Sequence, residues 1–331
     1  MQTYIIAEMA CSHEGSAETA KHIIDSSGKA GANAIQFQIW KLEKMLVPHH
    51  SDYTKLSEIE IEPKDWQLLA SHVRQFYPDM HIIACIYENG SVDLAEKINV
   101  DAYKIHSSDL SNPHLIKYVA QTQKRIDLSV GASSLDEIQT AIDWIRQTSQ
   151  SDIWLMYGYQ NFPTKTNEIH LSYMKKLHQL FELPIGYQDH TDAESDAAFW
   201  LPATARGMGI SIIEKHITHD RSLKGIDHEA ALNPDEFKKF VNMFRTIDES
   251  IGISIPKSFS KEELTYRKYS KKSLVAKHFL SQDTCLSEND LIPMRTNSLG
   301  LPPDQINRFV GKKLSRNIEA YERIFESDIS K

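Results

Sequence analysis

The sequence predicts an α/β fold, a (β/α)₈ (TIM) barrel followed by a small, mostly β C-terminal domain. Two observations carry this prediction. Short apolar runs alternate with amphipathic segments from Tyr4 to about Ile251, and eight such pairs fill about 250 residues, the usual size of this barrel. Beyond Ile251 the composition shifts, through a stretch rich in proline and serine, to short apolar runs separated by turns.

Each predicted strand is a short apolar run that precedes an amphipathic segment. In chain order the predicted strands are Tyr4–Met9, Ala34–Gln38, Met80–Ile86, Ala102–Ile105, Ile126–Ser129, Ile153–Tyr157, Pro184–Tyr187 and Ile210–Lys215.

Capping residues and helical periodicity predict the helices between these strands. Ser16 caps a first helix with Ala20, Ile23 and Ile24 on one face, and Gly28 and Gly31 mark its end. The others are predicted over Trp66–Tyr77 after Pro63, from Asn112-Pro113 to about Thr122, over Leu135–Ile145 after Ser134, near Leu171–Leu180, from about Glu194 to Arg206, and over Pro234–Ile251.

An open, doubly wound sheet also alternates strands and helices and is the alternative fold. Such a sheet rarely needs eight regular units, and no GxGxxG motif follows the first strand, so the barrel is favoured. We expect the barrel to span residues 1–255, a linker 256–265, and the C-terminal domain 266–331. That domain contains the apolar segments Ser273–Ala276, Leu291–Pro293 and Ile324–Ile329.

Composition narrows the class of protein. Hydrophobic residues make up 41% and charged residues 25% of the 331 residues, as in soluble globular proteins. No apolar run approaches the roughly 18 residues of a membrane span, and the N-terminus lacks the features of a signal peptide. A net charge of −8 argues against nucleic acid as a partner. Three cysteines without CxxC spacing indicate a reducing compartment, so a cytoplasmic enzyme is expected.

Polar residues follow most of the predicted strands, where a (β/α)₈ barrel places its active site. His190 and His216 end the adjacent seventh and eighth strands, so their imidazoles are expected to approach one ion. Two imidazoles with open coordination positions suit a divalent metal that polarises a carbonyl. A surface or core role is the usual one for a single histidine, but the paired placement favours the metal.

Other strand-end residues suggest further roles. Glu8 and Asp227 would be additional ligands or proton-transfer groups, and Lys104 would hold an anionic oxygen unless it is simply solvated. A Ser/His/Asp triad from Ser129 and Asp189-His190 is disfavoured because no GxSxG motif is present. Cys85 is predicted to be an inert buried cysteine.

The same residues lie in segments that resemble the sialic acid (N-acetylneuraminate) synthase family along essentially the whole chain. The segments that carry the resemblance are IIAEMACSHEGS, GKAGANAIQFQIWK, YKIHSSDLSNPHLI, DLSVGASSLDEI, NFPT, PIGYQDHT, IIEKHITHD, GIDHEAALNPDEF, KSLVAKHFLSQDTCLSENDLIPMR and VGKKLSRNI. The C-terminal part resembles the antifreeze-like (SAF) module of these enzymes.

The resemblance implies that the barrel condenses phosphoenolpyruvate with an N-acetylated amino sugar such as N-acetylmannosamine, forming a nonulosonic acid and phosphate. It implies a manganese or magnesium ion that activates the open-chain aldehyde. It also implies a domain-swapped homodimer, in which the small domain of one subunit caps the barrel of the other.

The implied roles fall on particular residues of this chain. His190 and His216 match the metal ligands, and Glu8 matches the first-strand acid that faces the metal-bound water and substrate. The remaining matches are to substrate-binding positions: Lys104, Ser107 and Ser129 for phosphoenolpyruvate, Asp227 for the sugar, and Arg295 for the partner's substrate. Glu214 also fits the eighth-strand pattern.

The chain departs from the family pattern mainly where phosphoenolpyruvate binds. Gln36 replaces a lysine, Gln188 replaces a serine, and Ala84-Cys85-Ile86 replaces a Ser-Thr-Pro stretch. Gln160 and Phe162 stand in an altered Asn-x-Tyr-Pro motif, and His106 replaces a small residue. Fewer cations and hydroxyl donors would then face a trianionic donor.

These departures leave three hypotheses. The first is a nonulosonic acid synthase with an adjusted donor site, in which Gln36, Gln160, Phe162 and Gln188 contact substrate. The second is an enzyme of the same fold, such as a metal-dependent aldolase or lyase, that uses another donor or sugar. The third is a non-catalytic sugar-binding barrel, which the histidine pair argues against because a binding protein has no need of a Lewis acid.

Overall fold

The computed structural model describes residues 2–330, and these form two compact units that divide after Gly252. The first unit is a closed barrel of eight parallel strands in the order β1 to β8. These strands are β1 (Tyr4–Glu8), β2 (Ala34–Ile39), β3 (His81–Ile86), β4 (Ala102–Ile105), β5 (Arg125–Ser129), β6 (Ile153–Tyr157), β7 (Ile185–Asp189) and β8 (Ile212–His216). The predicted barrel is confirmed.

Helices surround the barrel and follow its strands. They are α1 (Ala17–Ala30), α2 (Leu42–Met45), α3 (Tyr53–Ser57), α4 (Pro63–Phe76), α5 (Asn89–Lys97), α6 (Pro113–Ala120), α7 (Leu135–Thr148), α8 (Leu171–Phe181), α9 (Ala197–Gly207) and α10 (Pro234–Ile251). Among residues 2–330 no helix is both long and apolar enough to cross a lipid bilayer.

The predicted caps are present. The Ser16 side chain accepts a hydrogen bond from the Thr19 amide at the start of α1, and Gly31 ends that helix with a left-handed backbone. Ser134 and Glu137 form a capping box at the start of α7, with each side chain bonded to the other's backbone amide. These local signals therefore position the helices that follow β1 and β5.

The sequence pattern did not identify three of these helices. The short α2 and α3 lie between β2 and α4, and α5 follows β3. Asn89, Gly90 and Ser91 are poor helix formers, which hides the start of α5 in the sequence. In the structure the Glu88 carboxylate caps it by accepting hydrogen bonds from the Gly90 and Ser91 amides.

Alternating residues of each strand point into the barrel or outward to the helices. The lower interior is apolar and contains Ile6, Ala34, Ile83, Ala102, Met156 and Ile212. A larger cluster fills the space between barrel and helices, with Phe37, Trp66, Tyr187, Phe237 and Phe240 among its most bulky members. The polar interior residues lie nearer the carboxyl ends of the strands, where the site is expected.

The second unit has its own small core. Its sheet pairs β9 (Lys272–Ala276) with β10 (Leu291–Arg295) in antiparallel fashion, and Leu274, Leu280, Leu286, Leu314 and Ile318 are buried around it. Helix α11 (Lys261–Ser270) precedes the sheet and begins inside the predicted linker, because Ser260 and Glu263 form a capping box there.

The end of the chain is less regular than the sequence pattern indicates. The apolar segment Ile324–Ile329 contains a 3₁₀ turn, Glu326–Asp328, in place of a strand. The Asp328 carboxylate accepts a hydrogen bond from the Phe325 amide and so closes this turn. Single bridges join Arg323 to Val275 and Ile329 to Leu314, so β pairing in the small unit consists of one two-stranded sheet and isolated bridges.

Candidate active site

A cavity of about 700 Å³ opens at the carboxyl ends of the barrel strands. Most of the predicted site residues line it: Glu8, Lys104, Ser129, Gln160, Phe162, Gln188, His190, His216 and Asp227. These residues come from five strands and from the segments after β6, β7 and β8, so closure of the barrel alone brings them together.

Three predicted residues lie elsewhere. Gln36 is fully buried and does not line the cavity, and both polar atoms of its side chain lack a hydrogen-bond partner. Ser107 belongs to a short 3₁₀ turn, whose next residues, Ser108 and Asp109, line the cavity in its place. Arg295 ends β10 in the second unit, and its side chain is exposed.

A chain of polar contacts among the lining residues crosses the barrel interior. The Lys104 ammonium lies 2.7 Å from a Glu214 carboxylate oxygen and 3.4 Å from a Glu8 oxygen. The Gln188 amide nitrogen donates to the same Glu214 oxygen at 3.0 Å, and the Ser129 hydroxyl donates to the Gln188 oxygen at 2.9 Å. One lysine therefore faces two buried carboxylates, and Gln188 links this group to Ser129.

Burial and the neighbouring charges together set the protonation states of Glu8 and Lys104. It raises the pKa of Glu8 to about 7, because the attraction of Lys104 only partly offsets the loss of solvation. Burial by itself would lower the pKa of Lys104, but the carboxylates of Glu214 and Glu8 outweigh it and hold that pKa above its usual value. Lys104 therefore stays charged, whereas Glu8 can exchange a proton near neutral pH.

Gly158 makes room for Gln188 beside the histidines. A Cβ atom on Gly158 would lie 2.7 Å from the Gln188 Cβ and 2.6 Å from the Gln188 carbonyl oxygen. It would also lie 3.3 Å from the His190 ring. Any larger residue at position 158 would therefore displace the Gln188 side chain or its strand.

His190 and His216 face one another across the end of β7 and β8. Their ring centroids are 5.3 Å apart, and the Phe162 ring lies 4.2 Å from the His190 ring. The His190 Nδ1 lies 2.9 Å from the Tyr159 carbonyl oxygen, which can only accept. The Nδ1 of His190 therefore carries the proton and its Nε2 keeps a free lone pair.

Both imidazoles are neutral at pH 7. Burial lowers the pKa of His190 to about 4, and burial together with the neighbouring His190 lowers that of His216 well below its usual range. Neutral imidazoles are the form that binds metals. Within residues 2–330 no group of three or more His, Cys, Asp or Glu side chains is arranged to hold a metal ion. The histidine pair would therefore supply two ligands, and water or substrate the rest.

A buried ion pair lies on the outward-facing side of the two strands that lead into the histidines. Asp189 and Lys215 are each one residue before a histidine, are register partners in β7 and β8, and point away from the cavity. Their side chains are fully buried, with the ammonium 2.7 Å from the Asp189 carboxylate. Asp189 also accepts hydrogen bonds from the Tyr187 and Thr191 hydroxyls. This pair therefore fixes the alignment of the two strand ends.

We expect Asp189→Asn alone to destabilise the barrel by about 3–5 kcal/mol, because it leaves a buried ammonium without its counter-charge. The double variant Asp189→Asn/Lys215→Met should be considerably more stable than the single variant, since no unpaired charge remains. Urea unfolding followed by tryptophan fluorescence measures this, because all five tryptophans lie in the barrel unit.

The exposed ion pair Lys21–Asp25 on α1 is the matched control. Lys21→Met should change the free energy of unfolding by less than about 1 kcal/mol. Equal effects of Asp189→Asn and Lys21→Met would contradict the proposed role of the buried pair.

Several residues that line the cavity had no predicted role in the sequence. Gln38 lies two residues closer to the mouth of the barrel than Gln36, and its amide donates to the Tyr87 hydroxyl at 2.8 Å. The alternation of strand residues places both glutamines on the same inward face of β2, so it gave no signal that favours Gln38 over Gln36. Trp40, Met45, Leu46 and Leu56 also line the cavity, but they belong to a loop insertion without a periodic pattern.

Comparison with known proteins identifies the family to which this chain belongs. Residues 23–255 match the model of the NeuB family, which covers most of the barrel. The chain belongs to the NeuB family. It is 30% identical to the N,N'-diacetyllegionaminic acid synthase of Legionella pneumophila over 97% of this chain and 92% of that protein.

Two further matches are to proteins named as sugar-acid synthases. The chain is 26% identical to human N-acetylneuraminate-9-phosphate synthase, over 98% of this chain and 91% of that protein. The crystal structure of an N-acetylneuraminic acid synthetase from Leptospira borgpetersenii in complex with citrate is 29% identical and superimposes with a TM-score of 0.72, covering 81% of this chain and 92% of that one.

Membership of the NeuB family makes this chain an enzyme. It is a phosphoenolpyruvate-dependent transferase that forms carbon–carbon bonds and acts on amino sugars. The hypothesis of a non-catalytic sugar-binding barrel is therefore not supported.

Proposed function

We propose that this NeuB-family enzyme condenses phosphoenolpyruvate with an N-acetylated amino sugar, N-acetylmannosamine or a related acceptor, to form a nonulosonic acid and phosphate. The observation that carries the proposal is the pair of neutral, buried imidazoles of His190 and His216 beside the Lys104–Glu8–Glu214 group. The acceptor's aldehyde would lie between these two sets of residues.

We propose Mn²⁺ or Mg²⁺ as the cofactor, held by His190 and His216. The donor set supports this, because the His190 Nδ1–H is already bonded to a carbonyl, an arrangement usual for metal-binding histidines. When bound, such an ion withdraws electron density from the aldehyde and so makes its carbon electrophilic.

The chain's own residues then hold the reactants and donate or accept protons. C3 of phosphoenolpyruvate forms a bond to the aldehyde carbon, and protonated Glu8 delivers a proton to the aldehyde oxygen. Water adds at C2 and gives one proton to the Glu8 carboxylate. The C2–O bond to phosphate then breaks, and the C2 hydroxyl passes its proton to the leaving phosphate as the ketone forms. Lys104 and Ser129 would contact phosphoenolpyruvate. Gln188 would hold Ser129 and Glu214 in place through its hydrogen bonds to both.

The remaining assignments concern the acceptor. Asp227, which lines the cavity, would bind sugar hydroxyls, and Gln160 and Phe162 would close the opposite side. Burial raises the pKa of Asp227 to about 6, so it is mostly a carboxylate at pH 7 and accepts hydrogen bonds.

The central test is the release of phosphate by the purified chain. Release should require phosphoenolpyruvate, an amino sugar and Mn²⁺ or Mg²⁺ together, and the product should carry all carbons of both substrates. Absence of release across a panel of N-acetylated amino sugars with either ion would contradict the proposal.

We further propose that the second unit is an antifreeze-like capping domain and that the enzyme is a domain-swapped homodimer. Large apolar side chains are exposed at the start of the second unit: Ile253, Ile255, Phe259, Leu264, Tyr266 and Tyr269. Association with another subunit would cover such a surface. Arg295 would then act in the site of the partner subunit.

Subunit mixing tests the swap. Arg295→Ala and His216→Ala should each be inactive as pure proteins. In a randomly assorted 1:1 mixture half of the dimers combine both variants, and each of these has one complete site, so about a quarter of the normal activity should return. Size-exclusion chromatography must show dimers throughout, and dimers without any recovery would contradict a site shared between subunits.

A further inference from the structure

His106 lines the cavity just after β4, and its ring is held in a defined orientation. The centroid of the ring lies 5.4 Å from that of Tyr87, and Trp40 packs edge-on against Tyr87 in turn. The His106 Nδ1 lies 3.3 Å from the amide nitrogen of Ser108, which can only donate. Burial lowers the pKa of His106 to about 4, so the ring is neutral at pH 7. Nδ1 therefore accepts, and the ring carries its one proton on Nε2.

The Nε2–H group of His106 has no hydrogen-bond partner among residues 2–330. Because Nδ1 faces the backbone of the turn, Nε2 is the polar atom that the ring can offer to a bound molecule. The carboxylate of the same turn, that of Asp109, accepts hydrogen bonds from the Ser108 hydroxyl at 3.1 Å and from the Asn112 amide at 3.0 Å. An unpaired N–H in a cavity of this size indicates a ligand with an oxygen acceptor.

His106 lies beside the residues that are proposed to bind phosphoenolpyruvate. It follows Lys104 by two positions, and continuing the printed register of β4 and β5 by one pair places it next to Ser129. In the closed barrel β4 lies opposite β8, which carries His216 and the proposed position of the aldehyde. Lys104, His106 and Ser129 therefore line one side of the cavity.

Two of these three side chains already donate hydrogen bonds to other residues. The Lys104 ammonium is paired with two carboxylates, and the Ser129 hydroxyl donates to the Gln188 oxygen. The Nε2–H of His106 can thus meet an anionic oxygen without giving up a contact within the protein. At neutral pH the carboxylate and phosphate of phosphoenolpyruvate mainly accept hydrogen bonds, so they match a group that only donates.

We propose that His106 is a binding residue for phosphoenolpyruvate and that its Nε2–H donates a hydrogen bond to an anionic oxygen of that substrate. This inference rests on the proposed condensation for the identity of the substrate. His106 supplies a hydrogen-bond donor in a site where Gln36 replaces the expected lysine and is buried away from the cavity.

Three variants of the full chain, each with Mn²⁺, test the inference. His106→Phe keeps a ring against Tyr87 but removes the N–H, whereas His106→Gln keeps an amide donor of similar reach. His114→Phe, at an exposed histidine on α6 outside the cavity, is the matched control. Isothermal titration calorimetry measures the Kd of phosphoenolpyruvate, and phosphate release measures KM separately for phosphoenolpyruvate and for N-acetylmannosamine.

The expected result is a selective loss of affinity for phosphoenolpyruvate. His106→Phe should raise both Kd and KM of phosphoenolpyruvate at least about tenfold, a difference of about 1.4 kcal/mol, because a hydrogen bond to a charged group is lost. The KM of N-acetylmannosamine should stay unchanged, and His106→Gln should recover most of the affinity for phosphoenolpyruvate. His114→Phe should behave like the unmodified chain. An equal loss for both substrates, without recovery in His106→Gln, would overturn the inference in favour of a structural role.

The outcomes separate this inference from the proposed function. Weaker binding of phosphoenolpyruvate in His106→Phe, in a chain that releases no phosphate with any amino sugar, would uphold the inference and contradict the condensation. Phosphate release with an unchanged KM for phosphoenolpyruvate in His106→Phe would overturn the inference and leave the condensation standing. Failure of the unmodified chain to bind phosphoenolpyruvate would also overturn it. If phenylalanine prevents folding, His106→Ala takes its place with the same expectation.

Discussion

Replacing His216 with alanine is expected to lower kcat about a thousandfold and to abolish tight binding of Mn²⁺. The loss corresponds to about 4 kcal/mol of transition-state stabilisation, the scale on which a metal polarises a carbonyl. His190→Ala should have the same effect, since each imidazole would supply one of the two protein ligands. Isothermal titration calorimetry with Mn²⁺ and phosphate release with both substrates measure the two quantities.

His219→Ala is the matched control, because His219 follows β8 by three residues and does not line the cavity. It should bind Mn²⁺ and turn over substrate like the unmodified enzyme. Mn²⁺ affinity that is unchanged in His216→Ala would show that the histidine pair is not the metal site, even if activity were lost.

Replacing Glu8 with glutamine is expected to lower kcat by about 10²- to 10⁴-fold, the usual contribution of a general acid. Because the pKa of Glu8 is raised to about 7 and the proposed role needs the protonated form, kcat of the unmodified enzyme should fall as the pH rises through 7. This limb should disappear in Glu8→Gln. A pH–rate profile under saturating substrates measures both effects.

Unfolding of the protein would not explain the loss of this pH dependence in Glu8→Gln. The folded chain holds the Glu8 proton up to about pH 7, whereas the unfolded chain releases it near 4.5, so the stability linked to this group falls as the pH rises between these values. Glu8→Gln should therefore be no less stable than the unmodified protein at pH 8. Glu14→Gln, at an exposed glutamate outside the cavity, should leave the profile unchanged. A persistent limb near pH 7 in Glu8→Gln would assign it to another group.

The residues that the family resemblance assigns to the donor are bound to other residues of the chain. The Gln188 side chain is hydrogen-bonded to both Ser129 and Glu214. The Lys104 ammonium forms ion pairs with two carboxylates. The amide of Gln188 thus lies between the Ser129 hydroxyl and the buried charges of Glu214 and Lys104. A negatively charged donor that contacts Lys104 would therefore have to compete with Glu8 and Glu214.

Local patterns in the sequence determined the barrel. Each strand is an apolar run of four to six residues, and caps such as Ser16 and Ser134 mark where helices begin, so short-range chemistry was sufficient to count eight units. The barrel rule then predicted that His190, His216, Glu8 and Asp227 share one cavity, and the structure places them there. The roles of these residues stay predictions until the experiments above are done.

Only the tertiary structure determined how deeply these residues are buried, which side chains they contact and whether they are charged. Gln36 and Gln38 are equivalent in the sequence pattern, yet barrel closure buries Gln36 and leaves Gln38 at the cavity. The pairing of Lys104 with Glu8 and Glu214 joins residues about a hundred positions apart, and the loop insertion between β2 and α4 has no periodic signal at all. Strand periodicity specifies which way a side chain points, whereas its neighbours, solvation and pKa depend on strands brought together from across the chain. The histidine pair was therefore visible in the sequence, and the buried charges that surround it were not.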